Sequence, residues 1–174
     1  MQDHSFSFVI EASPDVVWRA LHPPVRNPAQ PGKPRIIEHG DVRIEVLHEG
    51  DENGDGLIRH CYFRVPKYLL SGGVGQSWEW VTEVVPNESS HYTAIGKPLW
   101  SRAEGWHRLE DLGDGRTRMH FRETYHAFNP VLRFLLERAV HRFISKDNDR
   151  LVQSAVEKGV AAMRARQARQ RDSR

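Results

Sequence analysis

From His4 to Ala12, Phe6, Phe8 and Ile10 alternate with Ser5, Ser7 and Val9, a period of two that predicts a strand with one apolar face. The rhythm then changes. Ser13 stands where a helix N-cap accepts a backbone hydrogen bond, Pro14 suits the first helical position, and Asp15 suits the positive helix end. Val17, Trp18 and Leu21 then form one face of a short helix.

Residues 22–34 hold Pro23, Pro24, Pro28, Pro31 and Pro34, half of the 10 prolines in the chain, so neither a regular helix nor a central strand persists there. Beyond this stiff loop, alternating stretches bounded by turn residues predict six more strands: Val42 to His48, Leu57 to Val65, Gln76 to Val85, His91 to Ile95, Arg102 to Leu112, and Arg116 to Phe128. Asp114-Gly115 between the last two is a hairpin signal, because both residue types tolerate positive φ. The short connections favour an antiparallel meander.

Asn129-Pro130 opens a second helix, in which Leu132, Leu135, Leu136, Ala139, Val140, Phe143, Leu151 and Ala155 recur at three and four. Unbroken from Pro130 to Arg166 it would reach about 55 Å at 1.5 Å per residue, against about 40 Å for the breadth of a compact chain of this length. It therefore breaks or protrudes, the candidate breaks being residues 145–149 and Gly159.

A sheet must bury its apolar face, and only the terminal helix is long enough to cover it. The expected fold is α+β: a seven-stranded curved antiparallel sheet wrapped around a long C-terminal helix, with a short helix after the first strand. Such a grip leaves room between sheet and helix. The segment Phe8-Val9-Ile10-Glu11-Ala12-Ser13-Pro14-Asp15-Val16-Val17-Trp18, the hairpin Gly113-Asp114-Gly115-Arg116-Thr117-Arg118 and the closing helix from Asn129 resemble the START-like superfamily, also called Bet v 1-like or polyketide cyclase/dehydrase and lipid-transport proteins. The resemblance spans about residues 4–163 and implies a helix-grip fold with a deep cavity. Activities in that superfamily range from ligand carriage to ring closure, so fold does not settle function. The Pro-rich segment 22–34 replaces a second short helix that its members often carry, which bears on the shape of one cavity entrance.

Composition changes the picture in three places. The 174 residues suffice for one domain, taken as 1–163 with an Arg-rich tail at 164–174, and for a sizeable core without disulfide or metal. The tail carries Arg164, Arg166, Arg169, Arg171 and Arg174 against Asp172, so the net charge of +2 belongs to the tail and the body is slightly acidic. A body of that balance argues against nucleic-acid binding. No apolar run reaches the 18 or more residues of a membrane span, and the start lacks a basic leader followed by an apolar stretch, so a cytoplasmic location is expected. The Asn87-Glu88-Ser89 sequon is read as a chance match.

Several motifs carry little chemistry. Asp51 to Ile58 matches the first positions of a calcium loop, but the twelfth position is Tyr62 rather than a bidentate Glu, leaving an acidic β-turn. Gly72-Gly73-Val74-Gly75 precedes a strand rather than a helix, so it reads as a flexible loop near an opening, as does Pro98-Leu99-Trp100. His120 and His126 have no evident third ligand, and no metal or other cofactor is expected. Cys61 reads as a small core residue.

The remaining candidates line the expected cavity. Trp78 and Trp80 share one strand face and Phe121 and Tyr125 another, and with Phe143 they supply aromatic walls. Alternation with Met119, Phe121 and Tyr125 turns Glu123 inward, where poor solvation raises a carboxyl pKa; alternatively it reaches water or pairs with Arg102 or Arg64. Asp147 projects from the apolar helix face or caps a break. Trp106 joins this set only if the turn before Arg116 has two residues, since that length pairs Trp106 with Glu123 and a three-residue turn does not.

These features point first to carriage of a small, largely hydrophobic ligand such as a lipid, a sterol-like compound or an aromatic polyketide, with Glu123 and Asp147 as polar anchors. A cyclase or dehydratase using Glu123 or a cavity histidine is the second reading. A protein-interaction module using the outer sheet face or the tail is the third. Oligomeric state is not legible in the sequence.

Overall fold

The computed structural model describes residues 1–22, 25, 27–39, 42–67, 71–97 and 99–172. One antiparallel sheet contains β1 (Gln2–Ile10), β2 (Arg35–His39), β3 (Val42–Glu49), β4 (Leu57–Arg64), β5 (Val74–Val85), β6 (Ser89–Lys97), β7 (Ser101–Asp111) and β8 (Thr117–Ala127), in the order β1-β8-β7-β6-β5-β4-β3-β2. The sheet thus has eight strands rather than seven. The additional β2 follows Pro34 directly and pairs only with β3; its adjacent Ile36 and Ile37 break the alternation by which the other strands are legible.

Helix α1 (Pro14–Leu21) follows β1, and α2 (Pro130–Asp172) closes the chain. Ser13 occupies the N-cap of α1 with extended backbone, but its hydroxyl donates to the Asp15 carboxylate instead of accepting a helix N–H. Asn129 does cap α2: its Oδ1 accepts from Val131 N at 2.9 Å and Leu132 N at 3.1 Å. The helix runs unbroken for 43 residues, about 65 Å, and therefore protrudes. Gly159 is a crossing point rather than a break. A Cβ there would lie 2.9 Å from Ala20 Cβ, so its hydrogen lets α1 and α2 touch.

The chief contacts of α2 are with β8, β1 and α1. Glu137, only 1% exposed, ties these elements together by accepting Ala127 N–H at 2.7 Å and Gln2 Nε2 at 3.2 Å, with the Met1 ammonium at 3.5 Å. Desolvation opposes its charge, yet these donors hold its carboxyl below the ordinary range.

Apolar packing collects at the two ends of the grip. One cluster joins Phe8, Ile10, Val17, Trp18, Met119 and Val156. The other joins Val65, Leu99, Tyr125, Ala127 and Val140, with Phe63, Leu132 and Phe143 against it. The strands β4–β7 are not among the chief contacts of α2.

Candidate functional site

The wall between the two apolar clusters is built from charged and hydrogen-bonding side chains. Register fixes this. Pairing of Ile58 with Trp80, Arg59 with Glu79 and Cys61 with Ser77 puts Arg59, Cys61, Ser77 and Glu79 on one face of β4 and β5. The same face continues through Tyr92 opposite Gly105, Gly105 opposite Glu123, and His107 opposite Phe121. It is the concave face, on which Phe121 and Glu123 are buried to 3% exposure.

Arg59 Nε donates to Glu79 Oε2 at 2.8 Å, and its Nη2 lies at the same distance. Ser77 Oγ donates to the other Glu79 oxygen. Desolvation works against the Arg59 charge, but Glu79 more than offsets it and holds the guanidinium above its ordinary range. Further along the same face, Tyr92 OH donates to Glu123 Oε2 at 2.9 Å. Tyr92 lies flat over Gly105: a Cβ there would meet the phenol ring at 2.1 Å, so only glycine lets the ring cross β7 to reach Glu123.

His107 stands next to this pair, its ring centroid 5.9 Å from Tyr92 and 5.1 Å from Phe121. Desolvation, followed by the Arg59 and His22 charges, pulls its imidazole to about 4, so it is neutral at pH 7. Desolvation also leads in pushing Tyr92 well above the ordinary phenol range, with Glu123 and Glu79 adding to it. Cys61 rises to about 12 by burial and by Glu79, which makes it an inert thiol.

Arg59 keeps 31% of its side-chain surface accessible and Glu79 13%, and Tyr92 and His107 are only partly buried. An open, shallow basin of about 310 Å³ lies on the outer side of β1, β8 and β7, lined by Ser5, Ser7, Trp106, Arg108, His120 and Arg122 among others.

The tryptophans expected to line the cavity are on the wrong side for it. Trp78 and Trp80 do share a face, but it is the outer one. Trp78 is 47% exposed and stacks on His60 at 3.9 Å, and Trp80 is 37% exposed. Trp106 is also outward, stacked on His91 at 4.9 Å with the Arg122 guanidinium 5.5 Å above it. The reason is the length of the last hairpin: Leu112 N bonds Arg116 O and Asp111 pairs with Thr117, leaving three residues in the turn, with Gly113 and Gly115 at positive φ. Trp106 therefore opposes Arg122, and Gly105 opposes Glu123.

Phe121, Glu123 and Tyr125 lie inward, as alternation requires. Glu123 bonds Tyr92, whereas Arg102 pairs with Glu104 on the outer face and Arg64 is exposed at the end of β4. Tyr125, its phenol raised to about 12 chiefly by burial, sits in the second apolar cluster with Phe143 packed against it. Asp147 is on α2, but its side chain lies outside the described residues, as do Pro23, Pro24 and Arg26 of the Pro-rich segment and Pro98 of the β6–β7 loop. Sequence reasoning missed Arg59, Glu79, Tyr92 and His107. The available signal was Gly105, a glycine inside a strand, which marks the close approach of another group.

Among the described residues no three His, Cys, Asp or Glu side chains are placed to hold a metal ion, and no helix is long and apolar enough to cross a membrane. The loop at 51–56 is a β3–β4 turn, in which Asp51 Oδ1 accepts from Asn53 N and Asp55 N at 2.8 and 2.9 Å.

A family model described as polyketide cyclase / dehydrase and lipid transport matches residues 1–156. No curated protein matches the chain in sequence. Among solved structures, TTHA0849 from Thermus thermophilus superposes with a TM-score of 0.63 at 16% identity, covering 93% of this chain and 99% of that one. Ara h 8.0201 gives 0.55 at 17% identity over 92% and 99%. The di-domain ARO/CYC BexL from the BE-7585A biosynthetic pathway gives 0.57 at 14% identity over 92% of this chain and 47% of that one. At these identities the likeness establishes the fold.

Proposed function

The chain belongs to the polyketide cyclase / dehydrase and lipid transport family, within the START-like or Bet v 1-like superfamily, and from that premise we propose that it binds a small, partly hydrophobic molecule bearing at least one oxygen that accepts hydrogen bonds. The supporting observation is the mixed character of the inner wall. Phe121, Tyr125 and Phe143 offer apolar contact, while Arg59, Tyr92, His107 and Glu123 sit between the apolar ends. A wall meant only for hydrocarbon gains nothing from such groups, because each costs desolvation energy unless it is paired. Arg59 has five N–H donors and spends two on Glu79. The others suit a carbonyl, enol or phenol oxygen, and the neutral His107 suits a polar group beside it.

Native mass spectrometry of the purified protein, together with fluorescence titration by anilinonaphthalene sulfonate, tests this reading. We expect a saturable site that Arg59→Met weakens about tenfold, the scale of losing a charged hydrogen bond. Absence of both a bound organic molecule and saturable dye binding overturns it.

A second reading is turnover of the cyclase or dehydratase type. It is favoured by a neutral imidazole beside a phenol that is hydrogen-bonded to a carboxylate, His107 with Tyr92 and Glu123, a set able to accept and deliver protons. Glu123→Gln separates the readings: carriage stays within a few-fold, and turnover of a poly-β-ketone substrate is abolished. An unchanged rate removes the second reading.

A further inference from the structure

At the end of the molecule closed by the second apolar cluster, large apolar side chains point into solvent. Phe134 is 89% exposed, Leu135 64%, Val131 63%, Trp100 57% and Phe128 48%. They form one patch, because Phe128 N bonds Trp100 O at 3.0 Å and α2 starts two residues later. The β6–β7 turn is strained in a way that builds this patch. Leu99 and Trp100 both take positive φ, 67° and 46°, a conformation that non-glycine residues rarely adopt. The result places Leu99 in the core at 6% exposure and Trp100 outside.

Above the patch the exposed side of α2 turns basic. At 100° per residue, Val131, Leu135, Arg138, Arg142 and Lys146 fall within an arc of about 80°, and all five are exposed. From 130 to 146 the sole acid is Glu137, which is turned inward and buried. At 1.5 Å per residue, Arg138, Arg142 and Lys146 lie about 5, 10 and 16 Å along the helix from Leu135. An apolar tip that enters the headgroup boundary by about 5–10 Å would therefore set these cations at the level of the phosphates.

We propose that this end of the molecule docks on a lipid surface carrying anionic headgroups, with Trp100, Phe128, Phe134 and Leu135 inserted and Arg138, Arg142 and Lys146 on the phosphates. Exposed apolar area on this scale marks an interaction site. The positive face of α2 beside the patch favours an anionic membrane over a second copy of this chain, which would bring the same positive charge against it. The proposal does not rest on what the inner wall binds.

Co-sedimentation with vesicles of phosphatidylcholine, with and without phosphatidylglycerol, tests it. The protein should pellet with the mixed vesicles, far less with phosphatidylcholine alone, and progressively less as salt is added. Phe134→Glu with Leu135→Glu should lower partition tenfold or more, roughly the loss of two inserted apolar side chains. Arg138→Glu with Arg142→Glu should lower it about fivefold per positive charge removed. Circular dichroism and urea midpoints should stay near the parent values, since all four positions are exposed, and Arg59→Met should leave partition unchanged. The proposal is overturned if the parent protein stays in the supernatant with anionic vesicles, or if the Phe134/Leu135 variant pellets as the parent does. It is likewise overturned if sedimentation equilibrium shows a dimer that the same variants dissolve, because the patch would then be covered by another copy.

Discussion

The two faces of the sheet invert the usual arrangement. Along β5, Trp78 and Trp80 look outward while Ser77 and Glu79 look inward; along β7, Trp106 is outside while Gly105 and His107 are inside. An ordinary half-buried sheet sorts apolar side chains to the covered face. Here the covered face packs its apolar side chains mainly at its ends, where Met119 and Leu109 meet α1 and α2 and where Tyr125 and Ala127 meet Val140, with Phe121 and Val46 buried outside both clusters. The middle carries ionisable groups that pair with one another, Arg59 with Glu79 and Tyr92 with Glu123. Under the proposed function, stability and ligand contact fall to different stretches of the same strands. The outer aromatics gain cross-strand stacking, Trp78 on His60 and Trp106 on His91, without needing to be covered.

The most forceful way to break this comparison is at an apolar end. Met119 is fully buried in the first cluster, and Met119→Ala should cost about 2–5 kcal/mol of unfolding free energy in urea titrations. A loss under about 1 kcal/mol would mean that the ends do not carry the fold.

A smaller effect should appear on titrating the middle. Desolvation, then Arg59 and His22, pulls His107 from 6.5 to about 4. Between those values the unfolded chain binds more protons than the folded one, so stability rises with pH across that window and is lost as pH falls towards 4. His22 and His141 are lowered chiefly by burial and act in the same direction. Urea midpoints should therefore fall from pH 7 to pH 4.5, and His107→Asn should flatten part of that slope. Parallel slopes in the two proteins would show that His107 is not held neutral by its burial.

The smallest effect belongs to the outer face. Trp78→Ser removes a half-exposed ring and one stack and should cost about 1 kcal/mol or less, with dye affinity unchanged. A large loss of affinity would place Trp78 at the ligand after all.

Much of the fold was legible because its signals are local. The opening strand and proline-started helix, six of the seven remaining strands, and the helix after Asn129 each have a period or a cap within a few residues. Phe121, Glu123 and Tyr125 could be turned inward from the alternation of one strand. The short strand β2 was not legible, because Ile36 and Ile37 stand side by side and its only support is pairing with β3. Nor could the length of α2 be settled, since Gly159 weakens a helix locally and its compensation, contact with Ala20, lies 139 positions away in the chain.

The alternation of side chains determined that each strand has two chemically distinct faces, and which residues share one. It did not determine which face is enclosed. That choice belongs to register: a strand has period two, so one residue more or less in the 113–115 turn exchanges Trp106 for Gly105 opposite Glu123. Only the assembled sheet, with α2 lying along β1 and β8, brings Arg59, Glu79, Tyr92, His107 and Glu123 to one wall. Their proximity is a property of five strands at once, and no pattern within any one of them encodes it.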